Sequence, residues 1–283
     1  MPTQLMTILR SWVRGHPTLK ALLRPLYTGG RHALWLFRKH LTHQPVGVRV
    51  GNQHVWLNLD GSIPQVLFKG GFETNELDFV KSFLKPGMTV VDAGANVGLY
   101  SLVASVLVRD TGRVYAFEPG KQTFAWLKRN LILNNCSNVV PNNTALSNSN
   151  MDVVLSVDPS HPTLDSHCFI QPNSGANHLL PTDELVRCQT LDDYFIHLGC
   201  PEIDFIKIDV EGAELFLLQG AEKVLASSPH LTILLECTQN REQVRALLEQ
   251  KGFRCYAWDS GACTLRPVLY SEVVRESNVI FKR

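Results

Sequence analysis

The chain has 283 residues, 45% of them hydrophobic and 19% charged, a balance that suits one large globular domain or one domain with extensions. No run approaches the ~18 apolar residues that a membrane span requires, Arg10 and Arg14 break up any secretory apolar core, and seven scattered cysteines without a CxxC pair speak against a metal knuckle and for a reducing, cytoplasmic setting. The formal net charge of +1 hides an asymmetry: Met1 to Leu59 holds eight Lys and Arg and no acid, while the remainder has 19 Lys and Arg against 26 Asp and Glu.

The basic segment is also the first predicted element. Residues 3–43 read as two short amphipathic helices divided around Thr28-Gly29-Gly30, with Leu5, Ile8, Leu9 and Trp12 on one face. Residues 1–45 are therefore expected to form a helical, basic N-terminal extension, either lying on an anionic membrane surface or capping the main domain. A nucleic-acid partner is not expected. The Arg-rich, acid-free start also resembles a mitochondrial transit peptide, although the basic stretch runs longer than such a peptide needs.

Val46 to Leu59 alternates as a hairpin with its turn at Gly51-Asn52. Glu73 to Leu84 reads as a helix that stops at Lys85-Pro86-Gly87. Strands follow near 89–93, 113–117, 138–141, 204–208, 231–236, 253–258 and 278–282, with helices near 98–108, 121–134, 212–226 and 240–251. Alternating βα units with apolar strands predict an α/β fold, a mostly parallel sheet with helices on both faces. The main domain is expected to span 46–283, with its core at 70–283. An insertion at about 146–202 breaks the rhythm: it holds a strand-like Val153-Val154-Leu155, a polar loop over 158–183 and a second possible strand near 185–190. Long irregular insertions of this kind serve as lids or binding loops, or are plain surface loops.

Two constellations carry chemistry. The first is Val90-Val91-Asp92-Ala93-Gly94-Ala95-Asn96-Val97-Gly98, followed one helix later by Phe117-Glu118-Pro119. Its parts are a buried strand, a glycine turn, a helix start and a second strand ending in one acid, which is what a nucleoside cofactor needs. A dinucleotide turn reads G-x-G-x-x-G. Here Asn96 replaces the close-approach glycine, and Asp92 would repel a pyrophosphate but suits an ammonium group. The turn thus favours S-adenosylmethionine, with Glu118 on the ribose hydroxyls.

The second constellation is Ile206-Lys207-Ile208-Asp209-Val210-Glu211-Gly212-Ala213-Glu214. Strand alternation sets Lys207 and Asp209 on one face, opposite Ile206 and Ile208. A lysine in a buried strand needs a partner, and Asp209 or Glu211 is at hand. The cluster can orient or deprotonate an acceptor; alternatively Asp209 caps the next helix and Lys207 merely neutralises it. Glu236, at the end of an apolar run, is expected to point into the same cleft as a second acid/base group or to end the strand. His161, His167 and His178 match no metal spacing. No metal site is expected, although Asp209, Glu211 and Glu236 could supply oxygen ligands.

Together the stretches Lys85–Gly98, Phe117–Pro119 and Ile206–Glu214 resemble the FkbM family of methyltransferases, over roughly residues 70–283. The third stretch is the most specific; the first two are shared by class I methyltransferases. The resemblance implies a Rossmann-like seven-stranded sheet whose last strand is antiparallel, and S-adenosylmethionine as donor. It implies that Asp92, Gly94, Asn96 and Gly98 surround the methionine part, that Glu118 holds the ribose, and that Asp209 and Glu211 lie by the reacting centre. Glu73 resembles the family's acid near the cofactor. Many members carry an acid after the third strand that reaches the adenine; here Thr144-Ala145-Leu146-Ser147 offers a hydroxyl, with Ala145 at the matching place. The insertion also departs, with Asn173–Asn177 in place of a Gly-Gly-x-Ser-like stretch.

The expected reaction is methyl transfer to a hydroxyl of a sugar, glycolipid or secondary metabolite, with Asp209 taking the acceptor proton and Lys207, Glu211 and Glu236 around it. The alternatives are N-methylation of a peptide or amine, an NAD(P)-dependent oxidoreductase for which Glu118 is equally apt, and a non-catalytic membrane or glycan adaptor.

Overall fold

A computed structural model describes residues 34–60, 62–69, 72–157, 168–171, 184–199, 201–237, 239–270 and 278–283. The first expected amphipathic helix, the three insertion histidines and Asn173–Asn177 lie outside them.

A helical stretch from residue 34 ends in a π turn at Arg38–Thr42. The hairpin follows as β1 (Val46–Val50) and β2 (Gln53–Leu57), paired antiparallel with Val50 opposite Gln53. Its turn is the expected Gly51-Asn52, with Gly51 at φ +58. Next come α1 (Ile63–Lys69) and α2 (Thr74–Phe83). The βα units then run β3 (Thr89–Ala93), α3 (Leu99–Val108), β4 (Arg113–Phe117), α4 (Lys121–Leu133) and β5 (Val139–Asn142).

The insertion holds β6 (Ala145–Leu146), β7 (Met151–Val157), β8 (Cys168–Gln171), β9 (Glu184–Gln189) and α5 (Leu191–Ile196). It is thus not simply a loop between two strands. β6, β9, β7 and β8 make a sheet of their own. β8 was not expected, because Cys168-Phe169-Ile170 is an apolar run too short to stand out within polar sequence.

The second half contains β10 (Phe205–Ile208), α6 (Glu214–Gln219), α7 (Glu222–Ser227), β11 (Thr232–Leu235), α8 (Arg241–Gln250), β12 (Arg254–Asp259), β13 (Thr264–Pro267) and β14 (Val279–Lys282). The main sheet has the order β13-β12-β14-β11-β10-β3-β4-β5. The seven expected strands are all there, and β14 runs antiparallel to both β11 and β12. An eighth strand, β13, adds to the edge through a tight turn in which Asp259 accepts hydrogen bonds from the Gly261 and Ala262 amides, both at 3.0 Å. The predicted helix over 212–226 is two helices, broken at Gly220. A Cβ there would lie 2.0 Å from the Ser147 carbonyl oxygen, so the chain bends around that close approach.

Both faces of the sheet are covered, so its strands alternate between two cores rather than between core and water. Val90, Phe205 and Leu234 point to the core under α2, α3 and α4, with Phe79, Leu102 and Leu127. Val91, Ile206, Ile208 and Ile233 point to the other, with Leu217, Leu225 and Val244. Helix α3 is buried along nearly its whole circumference. It lies between the sheet and the β1–β2 hairpin, which explains why its sequence, Leu-Tyr-Ser-Leu-Val-Ala-Ser-Val-Leu-Val, has no polar face. Asn130 on α4 fastens this arrangement. Its side chain accepts from the Asn58 amide at 2.8 Å and donates to the Val97 carbonyl at 2.7 Å, tying hairpin, helix and glycine turn together.

Candidate active site

The site lies at the carboxyl ends of β3, β10 and β11, where open α/β sheets bind ligands. Parallel register controls who meets whom. Lys207 pairs with Asp92 across β10 and β3, and both fall on the face covered by α3. The ladder continues past β11, where the Glu236 amide donates to the Ile208 carbonyl at 2.9 Å and so brings Glu236 beside Asp209.

The glycine turn is dictated by crowding. Gly94 has φ +77, and a Cβ there would lie 1.7 Å from the Asp209 carbonyl oxygen. The turn after β3 and the end of β10 therefore touch backbone to backbone. Gly98, at φ +92, caps α3 where a Cβ would meet Leu127 at 2.5 Å. Between them Asn96 is itself left-handed, at φ +50, and its side-chain oxygen accepts from the Val97 amide at 2.7 Å. Asparagine tolerates this conformation because it can bond its own backbone. The Asn96 amide in turn donates to Glu118 at 2.9 Å, and the Gly120 amide holds the other Glu118 oxygen at 3.0 Å. Glu118 is buried; burial raises its pKa to about 7 against the pull of those two amides.

A cleft of about 210 Å³ opens beside this turn. Of the residues expected from sequence, Glu73, Asn96, Lys207, Asp209, Glu211 and Glu236 line it. The side chains of these residues come from the start of α2, the β3–α3 turn, β10 and the end of β11. Asp92 does not line it; it is 1% exposed, accepts from the Ser101 hydroxyl at 2.6 Å, and its other oxygen has no hydrogen-bond partner among the described residues. Burial raises its pKa, with Lys207 and Ser101 opposing. Glu118 reaches the cleft only through Asn96. Ala145 sits apart, 2% exposed in the small core of the second sheet with Val153, Leu155 and Val186. The neighbouring Thr144 hydroxyl is already spent on the Arg187 carbonyl at 3.0 Å.

The charged groups form one chain of contacts. The Lys207 ammonium is 2.9 Å from Asp209 and stands 4.8 Å from the centre of the Tyr100 ring. Tyr100 donates a short hydrogen bond to Glu73. Burial opposes the charge on Lys207, but Asp209, Asp92 and Glu73 together raise its pKa above the ordinary lysine value. Glu236 accepts no hydrogen bond to its carboxyl from any described residue. Burial first, and then repulsion from Asp209 and Glu73, push its pKa up to about 8. Burial also raises Glu73, with Lys207 opposing.

Two readings of Asp209 can now be separated. Its carboxylate bonds Lys207 rather than the next helix, whose first residue, Glu214, accepts from the Gly212 amide at 2.8 Å instead. Asp209 is an ion-pair partner, not a helix cap. Carboxylate oxygens of Glu73, Asp209 and Glu236 lie within 4.8 Å of one another, whereas Glu211 stands outside that trio. With one lysine among the four carboxyl groups that line it, the cleft is short of positive charge. That fits a ligand carrying its own cation, as a sulfonium donor with an ammonium group does. Tyr100 and Ser101 were missed from sequence because α3 reads only as core, and Asn130 because polar residues are ordinary along the mixed sequence of α4.

Comparison with known proteins adds to this geometry. The profile of the methyltransferase FkbM domain matches residues 92–255. The chain is 30% identical over 201 residues to methyltransferase sdnD of Sordaria araneosa, covering 58% of this chain and 73% of that protein. It is 27% identical over 161 residues to the hexuronic acid methyltransferase AglP of Haloferax volcanii, covering 56% and 60%. Among solved structures, an FkbM methyltransferase from Methylobacillus flagellatus aligns with a TM-score of 0.45 at 15% identity, over 78% of this chain and 54% of that one.

Proposed function

The chain belongs to the FkbM-domain methyltransferase family, and from that premise we propose that it methylates a hydroxyl group of a sugar, glycolipid or secondary-metabolite acceptor, with Glu236 as the base. It is an enzyme, and its methyl donor is S-adenosylmethionine. The dehydrogenase and adaptor readings fall away with that membership. Bound in the cleft, the donor supplies an electrophilic methyl on a sulfonium, so the protein's part is alignment, charge and one proton.

Glu236 carries the reading. Its carboxyl lines the cleft, has no hydrogen-bond donor among the described residues, and holds a proton up to about pH 8. Once ionised, toward and above about pH 8, such a carboxylate can take a hydroxyl proton. Asp209 is less apt than sequence suggested, because the 2.9 Å bond to Lys207 engages its carboxylate and fixes its direction. Its part is to hold Lys207, whose ammonium is then available to an acceptor oxygen. Glu211 borders the same space, and Glu73 with Tyr100 closes its far side. The relative AglP is named for a hexuronic acid, a sugar acid that offers both hydroxyl and carboxyl oxygens.

Glu236→Gln tests the assignment. Turnover with a sugar-hydroxyl acceptor is expected to fall by about 10²–10⁴-fold, while calorimetric affinity for S-adenosylhomocysteine changes little. An unchanged rate would remove Glu236 from the role. Amine methylation is the second reading, favoured by the surplus of carboxylates, which would attract an ammonium. Offering hydroxyl and amine acceptors side by side separates the two.

A further inference from the structure

We propose that the helix ending at Arg38–Thr42 is a docking surface for an anionic phospholipid bilayer. This inference goes beyond the methylation reading and does not depend on which acceptor is used. Leu34, Phe37 and Leu41 recur at i, i+3 and i+7, so they share one helical face. They are 59%, 55% and 70% exposed. The opposite face is anchored: Trp35 is 3% exposed and packs with Val46, Leu59 and Phe68, its ring 5.6 Å from that of Phe68.

Three large apolar side chains in a row on water are costly for a helix whose one buried residue among those described is Trp35. The charge of the sequence segment that carries them points to what covers them. Lys39 and His40 are exposed on the same helix, and from Met1 to Leu59 the sequence contains eight Lys and Arg and no acid. The occupant must be apolar at side-chain depth and negative at its surface, which describes anionic lipid. A second copy of this chain would set two acid-free segments against each other, where like charges repel.

The helix also stands next to the cleft. α1 begins at Ile63, which lines the cleft together with Ser62, and Leu67 and Phe68 on the same helix pack on the Trp35 cluster. Seven helical residues span about 10 Å. Docking there brings the cleft close to the headgroup layer.

Flotation of the full chain with vesicles of phosphatidylcholine alone, or mixed with phosphatidylglycerol, tests the surface. The chain is expected to float with the anionic vesicles, and to detach as salt screens the attraction. The triple variant Leu34→Ser, Phe37→Ser, Leu41→Ser should lower the partition coefficient by about tenfold or more, since each side chain contributes burial at the interface. It should still bind S-adenosylhomocysteine like the parent, which shows that it is folded. Salt dependence alone would only report the basic segment, whereas the triple variant isolates the helix. The proposal is overturned if the full chain ignores the vesicles or if the variant binds them as well as the parent does. It is equally overturned if light scattering finds a dimer that the variant dissociates, for then a second copy covers the face.

Discussion

Lys207 holds the candidate site together as its one buried cation among the described residues, and much of its environment could be read from sequence. Strand alternation put Lys207 and Asp209 on one face, as the 2.9 Å bond between them requires. What could not be read was which acid is left without a donor. Asp209, Glu211 and Glu236 are all carboxylates at strand ends, and only their neighbours distinguish a paired group from a free base. If Glu236 is the base, kcat/KM rises with pH as its carboxyl ionises and levels off above about pH 8. In Glu236→Gln that rise should vanish, and a profile that keeps its inflection points to another group. A separate carboxyl affects stability rather than rate. Glu214 is 1% exposed, has one oxygen without a hydrogen-bond partner among the described residues, and is raised by burial from an ordinary 4.5 to about 7. The folded state therefore holds this proton more tightly than the unfolded chain does. That stability is fully present below about pH 4.5 and is lost as pH rises through about 7. Glu214→Gln should flatten the fall in melting temperature over this window; an identical pH dependence in parent and variant would count against the argument.

The βα units announced themselves through apolar runs, glycine turns and the Lys-Pro-Gly breaker, all of them local signals. Where an element was missed or divided, a distant contact was the reason. β13 exists because β12 had an open edge to cover, and the 212–226 helix breaks where Gly220 meets Ser147. The glycine turn at 94–98 was legible as a turn, but not as a contact with β10. Gly94→Ala would drive a methyl into the Asp209 carbonyl and impose a left-handed backbone on alanine. A loss of at least about 2 kcal/mol is expected in denaturant unfolding, together with lost donor affinity, because the turn and the Asp209 strand end must separate. A variant of parental stability would show that the two backbones have room.

The main sheet is parallel at its centre with progressively weaker margins, and hydrogen exchange should follow that order. β3, β10 and β11 are buried on both faces and carry partners on both edges, so their amides should exchange only through global unfolding. β13, a short and exposed edge strand holding Pro267, should exchange first. Uniform protection across the sheet would contradict this gradient. The described residues contain no helix long and apolar enough to cross a membrane. By itself the sequence determined the alternating α/β order, a donor turn that departs from a dinucleotide pattern, the charged strand end at 207–211 and the acid-free N-terminal segment, because each is written in neighbouring residues through spacing, turn chemistry or charge. Only the tertiary structure decided that Glu73, Tyr100, Lys207, Asp209 and Glu236 share one cleft, that Asp209 is paired while Glu236 has no hydrogen-bond donor among the described residues, and that Ala145 lies elsewhere. Those facts depend on strand order and register, which bring residues more than 160 positions apart to within 4.8 Å, and no local pattern encodes them.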